Sequence, residues 1–107
     1  MTITLPAQTP ALPLVELVVR QQDLHPDRTG WLHAQLEDVL RVHPDRVVVD
    51  LSACDAMSSG ALRALLQAHL QLRRVGGELV LRGVRPRVAR VIGLSGLSAV
   101  FDVEETS

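Results

Sequence analysis

The chain has almost no aromatic side chains: one Trp, one Phe and no Tyr in 107 residues. Its core must therefore be built from Leu, Val and Ala, and the exposed rings on which single-stranded nucleic acid stacks are missing. Lysine is absent, and all 11 basic residues are arginine. The single cysteine, Cys54, excludes an internal disulfide and offers no metal framework. No apolar run approaches the ~18 residues that a bilayer requires. The opening MTITLPAQTPALPL carries three prolines and no positive charge, so it does not read as a signal peptide. A cytoplasmic protein is expected. A net charge of −1 creates no field that would select nucleic acid or a membrane surface, so neither is expected as a partner.

What remains is an ordinary globular composition, 47% apolar, in a length that suits one domain over residues 1–107. TITL (2–5) alternates like an edge strand, and the proline-rich 6–13 breaks it. LVELVVR (14–20) reads as a second strand. Asp27 or Thr29 can cap a helix with Trp31, Leu32, Leu36, Val39 and Leu40 on one stripe, ending near His43 and Pro44. DRVVVDL (45–51) is a strand whose three valines suggest burial on both faces. A helix from about Ser58 to Val75 follows, closed by Gly76-Gly77. ELVLRGV (78–84), a helix over 87–94 introduced by Pro86, a strand at 99–103 and a tail at 104–107 complete the chain. The order is β-β-α-β-α-β-α-β. It predicts an α/β domain with a mostly parallel central sheet, crossover helices and an antiparallel N-terminal strand pair. Arg73, Arg74, Arg82, Arg85, Arg87 and Arg90 form a basic cluster, read first as solvated faces and second as a contact for an acidic partner or phosphate.

The chemistry-bearing stretch is VVVDLSACDAMSSGALRALL, where a strand hands over to a helix through two serines and a glycine. Sites in parallel sheets form at such carboxyl ends. Ser58 is placed to cap the helix, which stabilises it by about 1 kcal/mol. A phosphoryl group there would meet free amides and the positive end of the helix dipole, and would add about −1.5 to −2 charge. The fold would tolerate that group, whereas a partner packed on the same spot would not.

A serine hydrolase is the minor alternative. The segment before the serines, DAM, lacks the glycine of a nucleophile elbow, and His69 lies about three turns along the same helix. His33 and Glu37 at i, i+4 are two potential ligands, which do not make a metal site. HPDR at 25–28 and 43–46 resembles the J-domain co-chaperone signature, but the second copy runs into a strand, and turn chemistry accounts for both. No phosphate-cradling glycine loop supports nucleotide binding, and no cofactor is expected.

From Leu14 to Val103 the chain resembles STAS domains, and specifically the bacterial anti-sigma factor antagonists. One element is VVVDLSACDAMSSGALRALL, similar to the family's strand, D-L-S, D-S-S-G-L and helix; the other is RRVGGELVLRGVRPRVARVIGLSGL, similar to its G-G-x-L strand, helix and closing S/T-G-L. The resemblance implies a non-enzymatic regulator that binds an anti-sigma factor, often a GHKL-type serine kinase, and so releases a sigma factor. It implies phosphorylation of Ser58, with Ser59 as second choice, and reversal by a phosphatase. The implied partner surface is Asp23, Asp55, Met57, Ser58, Ser59, Gly60 and Arg63. Four departures stand out. Met57 replaces the family's aspartate, the loop after Asp50 is one residue shorter, and Asp23 in QQDL stands for the G-E-L-D motif. The family's final helix is the fourth, since the sequence stops soon after the last strand. That predicts open apolar surface and self-association, and the alternative role of a scaffold STAS subunit in a stress-signalling complex.

Overall fold

The computed structural model describes residues 14–104. Four strands, β1 (Val15–Val18), β2 (Arg46–Asp50), β3 (Glu78–Arg82) and β4 (Asp102–Glu104), form one sheet in the order β1-β2-β3-β4. Every pairing among them is parallel, with Val15 opposite Val47, Val47 opposite Leu79 and Val80 opposite Asp102. Helices α1 (Thr29–Leu40), α2 (Ser59–Arg74) and α3 (Pro86–Leu94) make the three crossovers. Each crossover moves one strand onward in the same direction. With a common right hand, that places all three helices on one face. The core bears this out: Leu17, Val47, Val49, Leu79 and Leu81 of the sheet pack with Leu32, Leu36, Leu65, Leu72, Val88 and Ile92 of the helices.

The other face is different. Strand alternation turns Val48 and Val80 away from the helices, and they lie outside the helix-side core although only 1% and 4% exposed. Ion pairs cross the sheet around them. Arg82 of β3 reaches over β2 to Glu16 of β1, and also meets Glu104 of β4 at 3.5 Å. Arg46 pairs with Glu78 at 3.1 Å and reaches Glu104 at 4.0 Å across β3. The triple valine is thus buried on both faces as expected, with charged side chains on one of them. Their aliphatic stems shelter the valines while the charged heads stay wet.

The elements match the sequence reading with local shifts. The expected strand at 2–5, and with it the antiparallel pair, lies outside the described residues. Neither Asp27 nor Thr29 caps α1: Arg28 is the cap position, without a side-chain cap bond, and the Thr29 hydroxyl donates to the Pro26 carbonyl at 3.0 Å. The helix stops at Leu40 rather than at His43, which turns the chain out of the helix in the left-handed conformation at φ +51°, its amide bonded to the Leu40 carbonyl at 3.1 Å. The last strand is 102–104, not 99–103. Residues 97–101 are held in a turn by bonds from Val100 and Phe101 amides to the Leu97 carbonyl, and Phe101 serves as a core anchor. Glu104, expected in the tail, is a strand residue that pairs with Arg82.

Candidate functional site

The carboxyl end of β2 carries an Asp50–Leu51–Ser52 turn. Asp50 Oδ1 accepts from the Ser52 amide at 2.9 Å and from the Ser52 hydroxyl at 2.6 Å. These bonds hold the Asp50 carboxyl below the ordinary carboxylate range, with a smaller contribution from Arg82. The turn packs so closely on the end of β3 that a Cβ at Gly83 would lie 2.7 Å from Ser52 Cβ. Gly83 also has φ +67°, which glycine adopts without strain.

From this turn the chain runs through residues 53–57 to α2, laced to the segment after β1. The Val19 amide donates to the Asp50 carbonyl at 3.0 Å, and Cys54 Sγ donates to the Val19 carbonyl at 3.3 Å. Burial pushes the Cys54 thiol up to about 11, so it is a packing group and not a nucleophile. Gln21 of the 3₁₀ turn Gln21–Leu24 hydrogen-bonds the backbone of Asp55 and Ala56. The Ser58 amide donates to the Leu24 carbonyl at 3.3 Å.

Ser58 caps α2 as the sequence predicts. Its backbone is extended, and its hydroxyl oxygen accepts from the Ala61 amide at 3.1 Å. Ser58 is half-buried, Ser59 is exposed, and among the described residues no imidazole hydrogen-bonds either one. Gly60 meets α1: a Cβ there would lie 2.7 Å from Thr29 Oγ1, so the two helix starts touch because position 60 is bare. Grooves flank the serines. One, of about 430 Å³, is lined by Thr29, Gly30, His33, Ser59, Gly60 and Arg63 among others. The second, of about 320 Å³ and mostly apolar, is lined by Gln21, Leu24, His25, Ala56, Met57 and Ser58 among others. A third pocket of about 630 Å³ lies at the opposite end of the sheet, between Arg46, Arg73, Glu78 and Asp102, away from the serines.

The seven residues proposed for contact separate on this geometry. Ser58, Ser59, Gly60 and Arg63 share the first turns of α2, and Arg63 is exposed at the groove edge. Asp55 is exposed and pairs with Arg87 of α3 at 3.7 Å. Two do not offer a contact surface. Asp23 is 1% exposed, accepts from the Arg20 amide at 3.0 Å and lies 3.9 Å from Arg28. Met57 is 7% exposed and belongs to the core. An apolar side chain at 57 turns inward because burial stabilises it there; it floors the serines instead of flanking them. Gln21, Thr29 and Arg87 shape the site in ways the sequence does not mark, Thr29 reading there as a cap and Arg87 as one of a basic cluster, since each acts here through a contact made only on folding. His33 bonds Glu37 at 2.6 Å, and the described residues hold no cluster of three metal-ligating side chains.

Residues 17–107 match the STAS domain family. The chain is a STAS domain. A solved structure of the Thermotoga maritima protein TM1081 superposes with a TM-score of 0.76 at 19% identity, covering 87% of this chain and 74% of that one. The unphosphorylated form of the anti-sigma factor antagonist SpoIIAA superposes at 0.68 with 17% identity, covering 95% and 87%. Both likenesses concern the STAS fold. In sequence, a Bordetella bronchiseptica protein named as the anti-sigma factor antagonist BtrV is 44% identical over 73 residues, which is 64% of this chain and 63% of that protein. The chain thus spans less than two thirds of the length of that curated relative. Within the STAS frame, the serines stand at the carboxyl edge of the sheet, on the helix that follows β2.

Proposed function

We propose that this STAS domain is a cytoplasmic anti-sigma factor antagonist, acting by protein–protein binding at the Ser58 end of the sheet. The partner is an anti-sigma factor, a serine kinase of the GHKL type, and its capture releases a sigma factor. The supporting observation is the Ser58–Ser59–Gly60 ridge between two grooves at the start of α2. The small hydroxyl of half-buried Ser58 and the exposed Ser59 let a partner backbone come close to the first turn of the helix, while Gly60 seats that turn against Thr29 of α1.

Phosphorylation of Ser58 ends binding in this reading. The kinase transfers the γ-phosphoryl of its nucleoside triphosphate to Ser58 Oγ, the hydroxyl proton leaves to a base of the kinase, and the diphosphate departs. The phosphate oxygens then take over the cap interaction with the α2 amides, so the domain keeps its fold. The partner meets a hydrated dianion where it had packed against a hydroxyl. A phosphatase restores the binding state by hydrolysis. With Met57 buried, the side chain before the acceptor presents no charge to the kinase.

Intact mass of the protein from its own cells, growing and stressed, with the site mapped by fragmentation, tests this reading. A phosphorylated fraction on Ser58 that changes with stress is the expected result. Ser58 unmodified in every condition removes the switch and leaves a constitutive binding module.

A further inference from the structure

Gln21 is an exposed glutamine whose carboxamide is nearly fully employed. Its Oε1 accepts from two consecutive amides, Asp55 at 2.6 Å and Ala56 at 3.0 Å, and its Nε2 donates to the Ala56 carbonyl at 3.0 Å. Two amides at one end and a carbonyl at the other admit only one orientation of the carboxamide. The side chain reads a stretch of backbone 34 and 35 residues away as a neighbouring strand would. No other hydrogen bond holds the Asp55 and Ala56 amides among the described residues. Beyond them, Ser58 is held on its far side by α2, whose Ala61 and Leu62 amides donate to its hydroxyl and carbonyl, and on its near side by its own amide to the Leu24 carbonyl at 3.3 Å. Gln21 and Ala56 also both line the apolar groove beside Ser58.

We propose that Gln21 is the positioning residue of the serine site: its carboxamide clamps the backbone of Asp55 and Ala56, fixes where Ser58 is presented, and joins the loop after β1 and the loop before α2 into one recognition surface. The functional part rests on the reading of Ser58 given above; the clamp itself does not. Residue type matters in a defined way. Alanine removes all three bonds. Glutamate keeps the two acceptor bonds but sets a carboxylate against the Ala56 carbonyl and beside Asp55, which Arg87 partly offsets from α3. Asp23, on the same turn, is occupied by Arg20. A protonated glutamic acid has the carbonyl and the donor of glutamine and can remake the clamp.

Amide hydrogen exchange on the whole chain tests this without any partner. In Gln21→Ala, exchange at Asp55, Ala56 and Ser58 rises roughly tenfold or more, and the melting temperature and the Val48 and Leu81 amides shift by no more than the loss of those three bonds entails. In Gln21→Glu, protection at Ala56 relative to wild type is poor at neutral pH and recovers as the pH falls toward about 4.5, where the side chain protonates. A merely structural role would not produce that recovery. Unchanged exchange at Asp55 and Ala56, or no recovery in Gln21→Glu, overturns the clamp. Gln21→Ala produced in its own cells then gives a lower phosphorylated fraction at Ser58 than wild type. Equal fractions overturn the positioning role. If wild type itself is never modified, the switch reading fails while the exchange data still judge the clamp.

Discussion

The two faces of the sheet are stabilised by different physics. On the helix side, Val47, Val49, Leu79 and Leu81 are fully enclosed by apolar side chains of α1, α2 and α3. On the other side, Val48 and Val80 sit among Glu16, Arg46, Glu78, Arg82 and Glu104. The first face gains from apolar area removed from water, an effect that salt hardly alters at these sites. The second relies on half-exposed ion pairs, which contribute little each and are screened by salt. Parallel sheets are usually covered on both faces. Among the described residues the second face carries a charge lattice, while the common right hand of the crossovers gathers all three helices on the first, where the start of α2 meets the start of α1.

Several substitutions separate the two faces. Leu81→Ala, at a fully enclosed site, costs about 2–5 kcal/mol, read as a lower midpoint in urea with little change in slope. Arg82→Ala removes the pairs to Glu16 and Glu104 and lowers the midpoint by much less than Leu81→Ala does. Its deficit against wild type shrinks in about 1 M salt, where the Debye length is ~3 Å, whereas the Leu81→Ala deficit does not. Equal salt responses from the two variants would erase the contrast between the faces.

Acid separates the faces by slope. His69 of α2 is 1% exposed, packs against Phe101 with ring centres 5.5 Å apart and planes tilted by 50°, and its Nδ1 has no partner among the described residues. Desolvation holds its pKa below the ordinary value, with Arg73 adding to this and Asp102 opposing it. The unfolded histidine takes up its proton first, near pH ~6.5, so stability falls as pH drops below that and levels off below the folded value. His69→Leu flattens this limb in a denaturation series. Asp50 on the open side behaves as a depressed carboxylate. Its contribution is complete above its ordinary pKa of ~3.9 and is lost only as pH falls through the folded value; Ser52→Ala reduces it. The smallest effect is on Cys54: the native thiol should resist an alkylating reagent at neutral pH and react only on unfolding.

Much of this was legible from the chain because periodicity and punctuation are local. Leucines of α2 at spacings of three and four, the serine cap and the glycine pair after Val75 locate that helix to within a residue at each end. The three valines locate β2 equally well. Of the candidate site, the helix cap at Ser58 and the close approach at Gly60 were legible. The site was not legible in Met57 and Asp23, whose side chains turn inward, nor in Gln21, Thr29 and Arg87. Polar residues in a loop look alike until folding sets a particular backbone or carboxylate beside one of them. β4 was placed too early because AVF has strand composition, yet the turn bonds onto Leu97 carry the chain to Asp102 before it pairs with β3.

By itself, then, the sequence determined the alternation of strands and helices, the capped start of α2 and the family motif around Ser58, since each depends on neighbours within a few residues. Only the tertiary structure decided that one sheet face is roofed by ion pairs, that position 57 is floor and not surface, and that Gln21 reaches the loop before the serines. Those outcomes depend on contacts between residues 22 to 66 positions apart, which exist only once the strands have paired.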